Sequence, residues 1–103
     1  MIQTVETIIK KLTKNPTKYW TRVRNVASNS KCVEFNYPIH VKITLERMPI
    51  DDFILIIEPE HLQSMNMIIL KEDGLRIKLL INELEEACVQ GTREYLTNII
   101  LSL

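Results

Sequence analysis

Asp52-Phe53-Ile54-Leu55-Ile56-Ile57-Glu58 is a run of five apolar residues closed at both ends by acids. Successive side chains of a strand point to opposite faces of a sheet. An unbroken apolar run of this length, rich in β-branched residues, therefore predicts a central strand covered on both sides. Met48-Pro49-Ile50-Asp51 turns the chain into it and Pro59 ends it.

The segments around this run read as its neighbours. Upstream, Val41, Ile43 and Leu45 alternate with His40, Lys42, Thr44 and Glu46, the pattern of a half-buried strand. Before Pro38, Val33, Phe35 and Tyr37 alternate with Glu34 and Asn36 in the same way. Downstream, Glu60–Ser64 suits one helical turn and Met67–Lys71 a further strand. Glu72-Asp73-Gly74 reads as a hairpin, since Gly supplies the positive φ of a tight turn. Leu75, Ile77 and Leu79, alternating with Arg76 and Lys78, then give a fifth strand.

Helices are expected at both ends of the chain. Ile2, Val5, Ile8, Ile9 and Leu12 recur at helical spacing, so residues 3–14 form an amphipathic helix. Lys10, Lys11 and Lys14 fall in its last turns, at the negative end of the helix dipole. Asn15-Pro16 stops it and opens a second helix over 16–28, with Trp20, Val23 and Ala27 inward; a strand from Trp20 to Val26 is the rival reading. Asn82 and Glu85 have the spacing of a capping box before a last helix over about 83–102. Leu84, Ala87, Cys88, Gly91, Tyr95 and Ile99 share one face of that helix, and Gly91-Thr92 is a point where it could divide.

The sum is a single α+β domain spanning residues 1–103. Its layers are an antiparallel meander sheet of four to five strands and, on one face, N-terminal helices with a long C-terminal helix. A chain of 103 residues, 46% hydrophobic and 25% charged, is enough for a core and unlike a disordered segment. Neither a membrane-length apolar run nor a signal-peptide pattern is present, and two cysteines fit a reducing, cytoplasmic setting.

Few chemistries fit these residues. With Gly74 and Gly91 the only glycines, a Gly-rich phosphate cradle is excluded. His40, His61, Cys32 and Cys88 lack the short spacings of a metal site. Neither a metal nor a small-molecule cofactor is expected. Asp52 and Glu58 lie at opposite ends of one strand, about 20 Å apart at ~3.3 Å per residue. Glu58, Glu60 and His61, bent together by Pro59, are the one local acid–base group on which a hydrolase could be built. A non-enzymatic binding protein is the favoured class.

Charge supplies the functional expectation. Net charge is zero, yet residues 1–31 carry seven cations against Glu6, or +6, and the remainder carries −6. Lys10, Lys11, Lys14, Lys18, Arg22 and Arg24, with Tyr19 and Trp20 interleaved, are the candidate contacts to DNA or RNA. Cations meet phosphates and release counterions, while rings stack on bases. A helix with a basic second helix has the outline of helix-turn-helix geometry, without its usual glycine or third helix. The alternative is a structural or adaptor protein acting through protein–protein contact. Ile99-Ile100-Leu101-Ser102-Leu103 is apolar around most of a helix, which predicts burial by another chain and a homodimer through the last helix or a sheet edge.

Overall fold

The computed structural model describes residues 1–103 as α1 (Ile2–Lys14), a 3₁₀ turn (Pro16–Tyr19), β1 (Arg22–Ala27), β2 (Ser30–Asn36), β3 (His40–Arg47), β4 (Phe53–Pro59), β5 (Met65–Ile69) and α2 (Lys71–Ser102). The strands form one antiparallel sheet in the order β1-β2-β3-β4-β5, a simple meander. The apolar run is β4, hydrogen-bonded to β3 on one side and β5 on the other.

The pleat sorts the side chains into two faces. Val33, Phe35, Ile43, Leu45, Phe53, Leu55 and Ile69 meet Val5, Ile9 and Leu12 of α1 and Ile77, Ile81 and Leu84 of α2 in one core. Fully burying a side chain of this kind stabilises by about 1.5–3 kcal/mol, so this layer carries the fold. The alternate residues Ile54 and Ile56 point to the other face, where no helix lies, and are only half-buried. Two-sided cover of β4 is thus half met: helices cover one face, and flanking side chains shield the other.

That open face is ordered by charge. In register across β1 to β4, Arg22, Glu34, Lys42 and Glu58 alternate in sign, so each meets an opposite charge on the next strand. The next row runs Arg24, Cys32, Thr44, Ile56 and Asn66.

Several expectations are corrected. Residues 16–28 are not a helix: after the 3₁₀ turn, Trp20 takes left-handed dihedrals (φ 54°, ψ 40°) and the chain continues as β1, the rival reading. Trp20 and Ala27 are exposed rather than inward, and only Val23 packs on the core. Glu72-Asp73-Gly74 is no hairpin and 75–79 no strand, because α2 already begins at Lys71. Gly74 does not adopt positive φ. Its lack of a side chain lets the helix approach Phe53, while Glu72 and Asp73 lie favourably at the positive end of the helix dipole. The helical spacing Ile77, Ile81, Leu84 prevails over the short alternation of Leu75, Ile77 and Leu79, because Leu75 and Leu79 stay exposed. β5 ends at Ile69 and so excludes Lys71, and 60–64 forms turns and bends rather than a helical turn. Five strands remain, since β1 replaces the one lost to α2.

At 32 residues α2 is about 48 Å long at 1.5 Å per residue, close to the 52 Å long axis of the molecule. All its buried residues lie between Gly74 and Leu84. Beyond Cys88, which still touches the core, only Gly91 is even half-buried. The second half of α2 therefore projects from the body without interruption at Gly91. No helix is long and apolar enough to cross a membrane.

Candidate functional site

The eight predicted contact residues fall into three groups. Lys10, Lys11 and Lys14 are exposed on the side of α1 away from its buried stripe of Val5, Ile9 and Leu12. Neither Lys10 nor Lys14 has an acidic partner, whereas Glu6, the acid of α1, pairs with Arg76 at 2.7 Å. Lys11 Nζ donates to the Tyr37 hydroxyl at 3.1 Å and lies 4.7 Å from the centre of that ring. Tyr37 in turn meets Tyr19 edge to face at 4.9 Å, and Lys18 Nζ stands 5.5 Å from the Tyr19 ring. Lys11, Lys18 and Tyr19 are thus gathered around Tyr37, a residue the sequence reading placed only in a strand. The hydrogen bond from Lys11, then its charge, lowers the Tyr37 pKa below its ordinary value, and the same bond, then the Tyr37 charge, raises that of Lys11.

Arg22 and Arg24 belong elsewhere. As alternate residues of β1 they project onto the open face, where both reach Glu34 of β2. Arg24 Nη2 donates to one carboxylate oxygen, and Arg22 Nη2 lies 3.5 Å from the other. Glu34 is 8% exposed, its charge held under these two guanidinium groups and beside His40 Nε2 at 3.8 Å. Lys10, Lys14, Lys18 and Arg22 recur every four residues yet share no common face, since a strand replaces the second helix that would have continued the spacing. Lys31 is likewise engaged: Nζ donates to Asn82 Oδ1 at 2.8 Å and to Glu85 Oε1 at 3.3 Å. Those two residues were read as a cap, but inside α2 they bind this cation instead.

Trp20 is 79% exposed, so it is no part of the core. It borders a groove of about 820 Å³ between the 3₁₀ turn, the start of β1 and the projecting half of α2. Pro16, Thr21, Cys88, Val89 and Tyr95 line this groove with it. Thr21 Oγ1 is buried there without a hydrogen-bond partner. Cys88 Sγ faces the Thr21 carbonyl at 3.7 Å, and burial, then the charge of Glu85, holds its thiol pKa above the ordinary value. From the groove outward, Tyr95, Leu96, Ile99, Ile100 and Leu103 continue an exposed apolar strip. Arg93 and Glu94 are the only charges of the chain beyond Glu86. The apolar character of this end was legible in the sequence; the joining of Trp20 to it was not, because the inward reading of 16–28 hid that residue.

Glu60 and His61 approach at 3.4 Å on an exposed turn, with His61 in left-handed dihedrals, while Glu58 pairs in register with Lys42 across β3 and β4. A second cleft, of about 560 Å³, lies under the β1–β2 turn and is bordered by Asn25, Lys31, Arg47 and Lys78. Of its cations, Lys31 is bound to Glu85 and Arg47 lies 3.2 Å from Asp51. No group of three His, Cys, Asp or Glu side chains is placed to hold a metal ion. Comparison with protein-family models, curated proteins and solved structures gives no match for this chain.

Proposed function

We propose that this protein is a non-catalytic binding protein that works by assembly, with the projecting half of α2 as its docking element. One observation carries this reading: from Val89 onward the helix leaves the body and shows water a broad strip of large apolar side chains. A helix packed on a sheet needs one apolar stripe, and α2 uses that stripe between Gly74 and Leu84. An apolar face beyond the core has no role in the monomer and marks an interaction surface. Sedimentation velocity over a range of concentrations tests the reading. The chain should sediment above monomer mass, and Leu96→Asp should return it to monomer without loss of helix signal. A wild-type monomer at every concentration would reject assembly with itself.

A second reading, contact with DNA or RNA, draws on the α1 surface. Lys10 and Lys14 are exposed without acidic partners, and Lys18 and Trp20 follow in the same turn region. The engagement of Arg22 and Arg24 by Glu34 on the opposite face argues for a smaller footprint than all eight residues would give. Titration of labelled single- and double-stranded oligonucleotides at two salt concentrations tests it. Saturable binding that weakens with salt, and is reduced by Lys10→Ala and Lys14→Ala, would support it. No anisotropy change at low salt would remove it.

A further inference from the structure

Resting on the assembly reading, we infer that the occupant of the projecting face is a second copy of this chain, packed antiparallel about a two-fold axis near Glu94. The end of the partner's α2 then lies in the groove beside Trp20.

The spacing of the strip sets this arrangement. Val89, Thr92, Leu96, Ile99 and Leu103 follow the alternating three- and four-residue steps of a coiled-coil seam, with apolar residues at four of the five positions. No charged residue falls on that seam beyond Glu85, since Arg93 and Glu94 lie to its sides. A strip of this kind pairs most simply with its own copy, because a two-fold axis matches one surface to itself. Antiparallel pairing stacks Val89 on the partner's Ile99 and Thr92 on the partner's Leu96. Each layer appears twice, and the smaller Thr92 receives the larger Leu96.

Orientation follows from Trp20. In the antiparallel arrangement the partner's Ile99 to Leu103 run past Val89 toward Glu85, along the groove that Trp20, Thr21 and Cys88 border. The exposed indole covers the seated helix end. A parallel pair would instead stack the two helix ends on each other and leave both grooves empty. Trp20, Val89, Tyr95, Leu96, Ile99, Ile100 and Leu103 together offer on the order of 800 Å² per copy, the area each partner contributes to a stable interface.

Cross-linking in a Cys88→Ser background tests the register. An equimolar mixture of Val89→Cys and Ile99→Cys chains should give a disulfide-linked dimer under mild oxidation, and either chain alone should give little. Val89→Cys linking to itself would mean a parallel pair and would overturn the proposal. A sedimenting dimer without the mixed cross-link would overturn the antiparallel arrangement while leaving assembly standing. A monomer would remove both. The unmodified chain provides a second readout, since Trp20 emission should shift to longer wavelength on dilution as the indole returns to water. An unchanged spectrum across the dissociation would overturn the place given to Trp20.

Discussion

Gly74 of α2 packs directly against the ring of Phe53 in β4: a Cβ on Gly74 would fall 2.6 Å from Phe53 Cε1 and closer still to Cγ and Cδ1. This is where the long helix is laid onto the sheet, at the first residue of the apolar run. Gly74→Ala should therefore destabilise the protein, although Ala is the better helix former by about 1 kcal/mol. Overpacking a closed core costs about 1–3 kcal/mol, and ring and helix backbone have little room to part. Urea denaturation should show the loss, and Phe53→Leu in the same chain should recover part of it. Equal stability of wild type and Gly74→Ala would mean that the helix does not approach the ring this closely.

Glu34 carries the charge balance of the open face. Glu34→Gln keeps its shape and removes the charge that holds Arg22 and Arg24 together. The expected loss is about 1 kcal/mol, below the roughly 1.5–3 kcal/mol of hydrogen bonds to charged groups, because both arginines are exposed to screening by solvent. Added salt should narrow the difference between wild type and variant. A variant as stable as wild type at low salt would show that the two ion pairs contribute nothing net.

The strands β2, β3 and β4 were legible because each combines period-2 alternation or a closed apolar run with proline or turn residues at its ends. α1 was legible from its single apolar stripe. The two misread segments share a cause, a pattern too short to separate the periods. Leu75, Ile77 and Leu79 alternate only until Ile81 and Leu84 extend a helical spacing through Ile77. Trp20, Val23 and Ala27 keep a helical spacing over only two turns, in residues that belong to the end of a 3₁₀ turn and to a strand. Gly74 and Asn82-Glu85 misled differently, since a glycine needed for close packing and a pair needed to bind Lys31 look like a turn and a cap. The basic cluster was legible as composition but not as a surface. Its division followed from β1, whose pleat sends Arg22 and Arg24 to the far side of the sheet.

Lys11 and Tyr37 should make one tyrosine titrate early. The folded-state pKa of Tyr37 lies below its ordinary value, chiefly through the Lys11 hydrogen bond, and that of Lys11 lies above. A depressed tyrosine pKa adds stability as pH rises through the tyrosine range. The Lys11 contribution is present below its unfolded pKa and is lost as pH rises through its raised folded value. The pair thus gains at the onset of tyrosine ionisation and fails at higher pH. Difference absorbance between wild type and Tyr37→Phe should place this midpoint below that of a free tyrosine, and Lys11→Met should move it up. A midpoint that ignores Lys11→Met would refute the contact.

Trp20 should be dispensable for folding. It is exposed and holds a left-handed backbone that costs an L-residue with a Cβ roughly 1–2 kcal/mol, a cost glycine escapes. Glycine's own entropy penalty offsets part of that gain. Trp20→Gly is therefore expected to match wild-type stability within about 1 kcal/mol, measured on the Leu96→Asp background to remove assembly. In the otherwise unaltered chain the same substitution should weaken self-association at least tenfold. A Trp20→Gly chain that fails to fold would place the indole in the core after all.

Cys88 reports on the groove without any substitution. Its thiol pKa is raised by burial first and by Glu85 second, so little thiolate is present near neutral pH. Iodoacetamide should react with it more slowly than with a free cysteine, and Cys32, buried in the sheet, should be blocked as well. Raising the pH should speed Cys88 by increasing its thiolate fraction. Assembly adds a further effect, because the partner's helix end would cover the groove that Cys88 lines. Alkylation should therefore slow as protein concentration rises through the dissociation constant, and Leu96→Asp should abolish that dependence while leaving the pH dependence intact. A rate independent of concentration in a chain that sediments as a dimer would place the interface away from this groove.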